Sequence, residues 1–230
     1  MPPALVDPDT GYRYYKPSQL GILSAIQVCI ELGIPLQKFP DYYSDGKINA
    51  ARFLEDAAQA ARQRIKAIQD SMDFIEKLQA QMAHADKLIQ ANGSLEYDLP
   101  EQRYLICEIP QDITIQAYNK ALAQLHKKAV EMEYGSGLSF GKMAIFHDRK
   151  IEKRFAYIEV SADAKGDSVL TLSPRRYCTI RTEKPQIEQA VQLFPEYFSD
   201  SRDVIVLESE IISSIYQAEE PDHELRCTYR

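Results

Sequence analysis

The feature that most constrains this chain is a long stretch, Lys47 to Asn92, that contains neither glycine nor proline. Within it, one set of positions steps alternately by four and three residues, and nine of these eleven positions are apolar. The set comprises Leu54, Ala58, Ala61, Ile65, Ile68, Met72, Ile75, Gln79, Met82, Asp86 and Ile89. A repeat of 3.5 residues keeps one apolar stripe facing a partner helix, so the pattern predicts a long coiled-coil helix.

The length of this helix indicates what covers its apolar stripe. At ~1.5 Å per residue the helix would extend about 65–70 Å, which is more than one small domain can cover. We therefore expect much of the stripe to meet a second chain, so that the protein forms a dimer. The alternative is a long helix that packs only on its own chain.

Beyond this helix the hydrophobic period changes to mostly two, after a predicted turn at Asn92-Gly93-Ser94. Two segments keep a helical period, from about residue 114 to 132 and from about residue 184 to 198. The segments with strand character are Tyr104–Ile109, Leu138–His147, Arg154–Val160, Val169–Arg181, Val204–Ile212 and Leu225–Tyr229. This order predicts an α+β domain with an antiparallel sheet, built from duplicated βαββ units.

The segment before the long helix has two parts. The turn-forming run DPDTG (residues 7–11) is followed by strand-forming tyrosines, a pattern that predicts a β-hairpin. Apolar residues then recur at helical spacing on both sides of a Gly33–Pro35 turn, so two short helices are expected around it.

Composition excludes several classes of protein. The chain has 230 residues, a net charge of −7 and 45% apolar residues, which is typical of a globular protein and not of a disordered, collagen-like or membrane-spanning chain. The acidic total disfavours nonspecific coating of nucleic acid as the main role. Neither a signal peptide nor an apolar run long enough to span a membrane occurs, so we expect a cytoplasmic protein without a membrane partner.

The cysteines and histidines do not indicate a metal centre. The four cysteines lie 49 or more residues apart, and the four histidines do not cluster with cysteines or carboxylates at ligand spacing. We therefore expect no metal and no cofactor, and we expect the cysteines to be buried thiols.

The blocks VDPDTGYRYY (6–15) and SQLGILSAIQVCIELGIPL (18–36), followed by the long helix, resemble the MerR family of bacterial transcription regulators. The similarity is to the subgroup with a GyrI-like, multidrug-binding effector domain, and in the second half it rests on GSGLSFG (135–141), PRRYCTI (174–180) and VIVLESE (204–210). Members of the family begin with a helix-turn-helix, and this sequence starts just after that element.

The resemblance implies three parts. Residues 1–46 would be a partial winged-helix DNA-binding domain lacking the helix-turn-helix, residues 47–92 an antiparallel coiled-coil dimerisation helix, and residues 93–230 a GyrI-like effector-binding domain. The implied function is a regulator that binds promoter DNA as a homodimer and senses lipophilic cationic small molecules. Because base readout needs a recognition helix, promoter DNA is expected as a partner only if the missing helix-turn-helix is present, or in a heterodimer with an intact relative.

In the hairpin, the resemblance places Arg13, Tyr14 and Tyr15 against DNA phosphates, with Tyr12 as a weaker candidate. Such contacts position a protein on DNA without reading the base sequence. Packing in the core of the hairpin is the alternative role of the tyrosines.

The ligand-binding candidates are aromatic and acidic residues of the predicted sheet. Strand alternation puts Phe155, Tyr157 and Glu159 on one face of a strand. It likewise puts Glu208 and Glu210 on one face of another strand. A carboxylate beside aromatic rings suits a planar organic cation, because the rings add apolar area and cation–π attraction.

The resemblance selects among these candidates. The run IVLE (205–208) matches the family's strand that carries an acidic pocket residue, so Glu208 is the first acidic candidate, and PRRYCTI supplies a pocket tyrosine, Tyr177. Glu210 shares a face with Glu208 and is the second acidic candidate, and Glu159 is the third. A solvated carboxylate and a core ring are the alternative roles of such residues.

Two other functions remain open. A chain without its own DNA recognition could act by sequestering ligands or by forming heterodimers. A small-molecule hydrolase is the other, because some GyrI-like domains have such activity, with Glu208 and Tyr177 as base and acid. The sequence contains no GxSxG motif and no Ser/His/Asp constellation, so we expect no enzymatic activity and assign no catalytic residue.

Overall fold

The computed structural model describes residues 3–44, 46–91, 93–215 and 219–230. The chain divides into two compact units, Met1–Ile75 and Glu76–Arg230, and the long helix contributes to both. Asn92, which belongs to the predicted turn after this helix, lies outside the described residues. No helix in the described part of the chain is long and apolar enough to cross a membrane.

The first unit begins with the predicted hairpin and continues into two helical segments. The Asp7 carboxylate closes the hairpin turn, because it accepts hydrogen bonds from the amides of Asp9 and Thr10, both at 2.9 Å. Gly33 ends the first helix with a φ of 72°, a left-handed conformation that strains any residue with a Cβ. The elements are β1 (Leu5–Val6), β2 (Arg13–Tyr14), α1 (Leu20–Leu32), a 3-10 segment (Leu36–Asp41), β3 (Tyr43–Ser44), β4 (Lys47–Ile48) and the first part of α2 (Ala50–Gln90).

The core of the first unit lies between α1 and the start of α2. Phe53 and Ala57 of α2 pack there against Cys29 and Tyr42, and none of these residues belongs to the predicted stripe. The part of the stripe that lies in this unit is largely uncovered in the single chain, whereas Ile89 at its far end is partly buried in the second unit. The large apolar side chains of the stripe that are more than half exposed are Leu54, Ile65, Ile68, Met72 and Ile75.

The second unit contains the last part of α2 and an eight-stranded antiparallel sheet. Its elements are β5 (Ser94–Leu99), β6 (Gln102–Glu108), α3 (Ile115–Glu131), β7 (Ser136–His147), β8 (Lys150–Val160), β9 (Val169–Leu172), β10 (Arg175–Thr182), α4 (Ala190–Leu193), β11 (Val204–Glu210) and β12 (His223–Tyr229). The strand order is β5-β10-β12-β11-β7-β8-β6-β9. The α+β class and the antiparallel sheet are therefore confirmed, and the duplication of βαββ units stays a prediction.

Two strand predictions differ from the structure. The strand predicted over 169–181 is two strands, β9 and β10, separated at Pro174, which has no backbone N–H to donate. Strand β5 was not predicted, and it pairs with β10 through the register Tyr97↔Tyr177.

The second predicted helix of this unit is also shorter than expected. The pattern over 184–198 forms only a 3-10 turn, Ile187–Gln189, followed by the four residues of α4. Pro185 and Pro195 flank this segment, and proline interrupts helical hydrogen bonding.

The sheet buries both of its faces. One face packs against α3 and α4, and we call it the helix face; Val206 and Phe194 belong to its core. The other face is the inside of the curled, half-barrel sheet and carries Tyr97, Tyr104, Tyr157 and Tyr177; we call it the tyrosine face. Because β5 and β9 lie at opposite ends of the strand order and both contribute to this second core, the sheet must curl.

Candidate ligand-binding face

Four tyrosines and a phenylalanine line the tyrosine face. The rings of Tyr104 and Tyr157 meet edge to face at 5.1 Å and 78°, and those of Tyr97 and Tyr177 stack at 6.3 Å and 27°. Phe155 packs in the same core. Burial raises the pKa of each of the four phenols, so they stay protonated and able to donate at neutral pH.

Strand β12 adds two charges to this face, because Glu224 and Arg226 alternate with Leu225 and Cys227, which face the helices. Both charged residues are only 8% exposed. Oε2 of Glu224 lies 3.7 Å from Nε of Arg226. Burial would lower the pKa of Arg226, but the adjacent Glu224 carboxylate raises it above its ordinary range. The face therefore contains a buried ion pair.

One oxygen of Glu224 has three partners. Oε1 accepts hydrogen bonds from Oγ1 of Thr179 at 2.7 Å and from Oη of Tyr97 at 3.1 Å, and it lies 2.9 Å from Nε2 of His84. Burial alone would raise the pKa of this carboxyl, but Arg226 and the hydrogen bonds from His84 and Thr179 lower it to about 2. Glu224 is therefore a fixed anion.

A second set of hydrogen bonds surrounds Ser139 of β7. Its hydroxyl accepts from Nη2 of Arg226 at 2.7 Å and lies 3.2 Å from Oη of Tyr157. The amide of Ser139 donates to Oε2 of Glu159 at 3.3 Å. This serine links the guanidinium to the tyrosine cluster.

His84 connects the long helix to the face. It lies in the last third of α2, and its ring is 4.6 Å from the ring of Tyr97. About one turn of the same helix packs beside the sheet, since Ala85 and Leu88 form a small core with Ile211, just after β11. The end of α2 in the second unit is thus held by apolar contacts and by one hydrogen bond to the buried acid.

The structure brings together some of the ligand-binding residues predicted from the sequence. Tyr177, Tyr157 and Phe155 lie on the tyrosine face, and Glu159 lies on it half-buried. Their binding of a ligand stays a prediction.

Glu208 and Glu210 lie on the opposite, helix face, because they alternate with Ile205 and Leu207, which belong to the tyrosine face. Oε1 of Glu208 accepts hydrogen bonds from the amides of Gln186 at 2.6 Å and of Ile187 at 2.9 Å, where the 3-10 turn begins.

This placement gives Glu208 a structural role at the 3-10 turn. Burial raises its pKa, and the two hydrogen bonds oppose that rise. Glu210 is exposed. Because Glu208 and Tyr177 face opposite sides of the sheet, they cannot act as base and acid on one substrate.

The predicted DNA-contacting residues lie in or beside the hairpin of the first unit. Arg13 and Tyr14 form β2, with Tyr12 and Tyr15 on either side. All four side chains are exposed. The tyrosines are thus not packed into the core of the hairpin, and their contact with DNA stays a prediction.

Sequence reasoning did not single out His84, Glu224 or Arg226. The signal for the last two was the alternation in HELRCTY (223–229), where polar residues occupy every second position. Such a strand is typical of a sheet with one solvated face, and only the curl of the sheet makes that face an interior. No group of three or more His, Cys, Asp or Glu side chains in the described ranges could hold a metal ion.

Comparison with known proteins gives distant likenesses. The sequence matches no protein-family model and no curated protein. The structure is similar to EcmrR in the EcmrR–DNA complex, with 16% identity over 99% of this chain and 89% of that chain and a TM-score of 0.40. It is also similar to SAV2435 bound to tetraphenylphosphonium, with 13% identity over 60% and 93% of the two chains and a TM-score of 0.28. A hydrolase from Listeria innocua is 12% identical over 60% and 92% of the two chains, with a TM-score of 0.33. With TM-scores below 0.5, these likenesses assign neither a ligand nor an activity to the chain.

Proposed function

We propose that this chain is a ligand-responsive transcription regulator of the MerR type that binds a small organic molecule at the tyrosine face. The observation that carries the proposal is the Glu224–Arg226 pair buried among four tyrosines. Burying two charges costs free energy that an apolar core would avoid. A few fixed polar groups among aromatic rings are the usual composition of a small-molecule site.

His84 supplies the route from the ligand to the rest of the protein. A ligand that moves Tyr97 or competes for Glu224 changes the partners of His84, and His84 belongs to the helix that continues into the first unit. The ligand alters DNA binding only if it binds one arrangement of this helix more tightly than another.

The dimer and the DNA contacts of this proposal are based on the first unit. A second copy of the chain covers the exposed stripe of α2, because the 3.5-residue repeat matches another helix of the same kind. Arg13, Tyr14 and Tyr15, assisted by Tyr12, contact phosphates. The protein acts in the cytoplasm by binding and not by catalysis, without a metal or cofactor. Lipophilic cations, the ligand class implied by the resemblance, remain a prediction.

The test uses the full gene product, including any residues encoded upstream of Met1. Duplexes are selected from a random pool, and the affinity for a selected duplex is measured against salt for the wild type, Arg13→Gln and Lys153→Gln. Each substitution removes one positive charge, but only Arg13 lies in the hairpin. We expect Arg13→Gln to weaken binding and to lower the salt slope by about one, and Lys153→Gln to leave both unchanged.

Adding aromatic probes to the same titration tests the response to ligand. The proposal requires that a probe bound at the tyrosine face change the affinity for the selected duplex. If a probe binds but no duplex is ever enriched, the chain is instead a ligand-binding protein that acts by sequestration or through heterodimers.

A further inference from the structure

Two buried polar atoms of the tyrosine face lack a hydrogen bond. They are Nε of Arg226 and Oη of Tyr177, for which no partner is found among the residues that the structure describes. Native proteins rarely leave buried polar groups unpaired, so each such atom calls for a physical explanation.

The two atoms belong to neighbouring positions of one face. Arg226 lies directly opposite Thr179 in the β10–β12 register, and Tyr177 is two residues before Thr179 on the same side of β10. Diagonal neighbours of this kind lie roughly 7–8 Å apart, within reach of long side chains. One ligand group can therefore meet both atoms.

The chemistry of the two atoms restricts that group. A guanidinium nitrogen only donates, and the phenol of Tyr177 stays protonated because burial raises its pKa. The group that satisfies both must therefore be a hydrogen-bond acceptor.

The acids of the face do not fill this role. Oε1 of Glu224 already has three partners, and its Oε2 is 3.7 Å from Nε of Arg226, beyond hydrogen-bond distance. Oε2 of half-buried Glu159 accepts from the Ser139 amide.

We propose that the tyrosine face binds aromatic compounds that carry a carbonyl or carboxylate oxygen, and that this oxygen accepts hydrogen bonds from Tyr177 and Arg226. The inference rests on the proposed function and specifies the ligand of the same site. The rings of the tyrosines cover the aromatic body of the compound. A cationic head group at this position would lie beside the positive charge of the Arg226 guanidinium. The expected ligands therefore differ from the lipophilic cations that the family resemblance implies.

The test uses three probes with one ring system: 2-naphthamide, 2-naphthoate and 2-naphthylmethylammonium. Each is titrated into the full-length protein and into two variants by calorimetry. Tyr177→Phe removes only the unpaired hydroxyl. Tyr197→Phe is the matched control on the helix face, where the Tyr197 ring lies 4.9 Å from the ring of Tyr229 in a tilted arrangement.

We expect the amide or the carboxylate, or both, to bind at least about tenfold more tightly than the ammonium probe. Tyr177→Phe should lower the affinity for the oxygen-bearing probes by about tenfold and leave the affinity for the ammonium probe unchanged. Tyr197→Phe should leave both affinities unchanged. Because Tyr177→Phe removes no hydrogen bond of the free protein, its melting temperature should not fall.

Preferential binding of the ammonium probe, unaffected by Tyr177→Phe, would overturn the oxygen-acceptor inference and leave the proposed ligand site standing. If none of the three probes binds and Tyr177→Phe lowers the melting temperature, the hydroxyl has a partner within the free protein. That result would overturn the proposed ligand site as well.

Discussion

Nε2 of His84 lies 2.9 Å from Oε1 of Glu224, so a residue of the long helix shares a hydrogen bond with an acid buried inside the sheet. The same oxygen accepts from Tyr97 and Thr179, which lie on two further strands. A change in the position or charge of Glu224 therefore alters hydrogen bonds to the helix and to both strands. This shared acceptor is the physical basis of the coupling proposed above.

The ionisation of Glu224 predicts a pH dependence of stability. Its pKa is lowered from 4.5 to about 2 in the folded chain, so its stabilisation is complete above pH 4.5 and is lost as the pH falls toward 2. The difference in free energy of unfolding between the wild type and Glu224→Gln should shrink by about 2 kcal/mol between pH 7 and pH 3. Urea titrations at both pH values measure it, and a constant difference would argue against an ion-paired Glu224.

Gly141 of β7 leaves no room for a side chain. A Cβ on this residue would lie 1.9 Å from the carbonyl oxygen of Glu208 on the adjacent strand, so the two strands could not keep their spacing. We expect Gly141→Ala to destabilise the protein by about 3 kcal/mol or more in chemical denaturation.

Gly21→Ala is the control for this prediction. Gly21 lies in α1, and a Cβ there meets no atom within 4 Å, so the substitution should stabilise the chain by roughly 0.5–1 kcal/mol. Similar effects of the two substitutions would contradict the close approach of β7 and β11.

The exposed stripe of α2 predicts a dimer that depends on Ile68. Ile68 is 53% exposed in the single chain, and a charge in the centre of a helix–helix seam is strongly unfavourable. Ile68→Glu should give monomers at concentrations where the wild type is dimeric in sedimentation velocity. The neighbouring Gln69→Glu adds the same charge outside the stripe and should leave the dimer intact; a monomeric wild type would refute the prediction.

Glu208 is expected to hold the segment after β10 in place and not to contact the ligand. Glu208→Gln keeps an acceptor for the amides of Gln186 and Ile187, whereas Glu208→Ala leaves both without a partner. Glu208→Ala should therefore be about 2 kcal/mol less stable than Glu208→Gln. Binding of 2-naphthamide should be the same in Glu208→Gln and in the wild type. Loss of binding in Glu208→Gln would instead support the role that the resemblance implies.

Local patterns predicted much of the fold. The apolar repeat from Leu54 to Ile89 and the absence of glycine and proline gave α2 nearly its full length, and the strands from Tyr104 to Val160 follow alternation closely. The helix expected over 184–198 is mostly absent, because the apolar spacing of this segment does not compensate for its two prolines, Pro185 and Pro195.

The candidate site was less predictable because it depends on the curl of the sheet. Alternation correctly grouped Phe155 with Tyr157, but it could not show that Glu208 faces the helices. That distinction requires the register of β11 with β7, which pairs residues such as Val204 and Phe146, 58 positions apart in sequence. For the same reason, alternation within β12 did not assign Glu224 and Arg226 to the site.

Hydrogen–deuterium exchange of the full chain, with and without 2-naphthamide, tests most directly whether a ligand at the tyrosine face alters the long helix. We expect slower exchange in β5 and β10, which carry Tyr97 and Tyr177, together with a change in the last turns of α2 around His84. Protection confined to the segment around Ile187 on the helix face, or binding that leaves both β10 and α2 unchanged, would contradict this expectation.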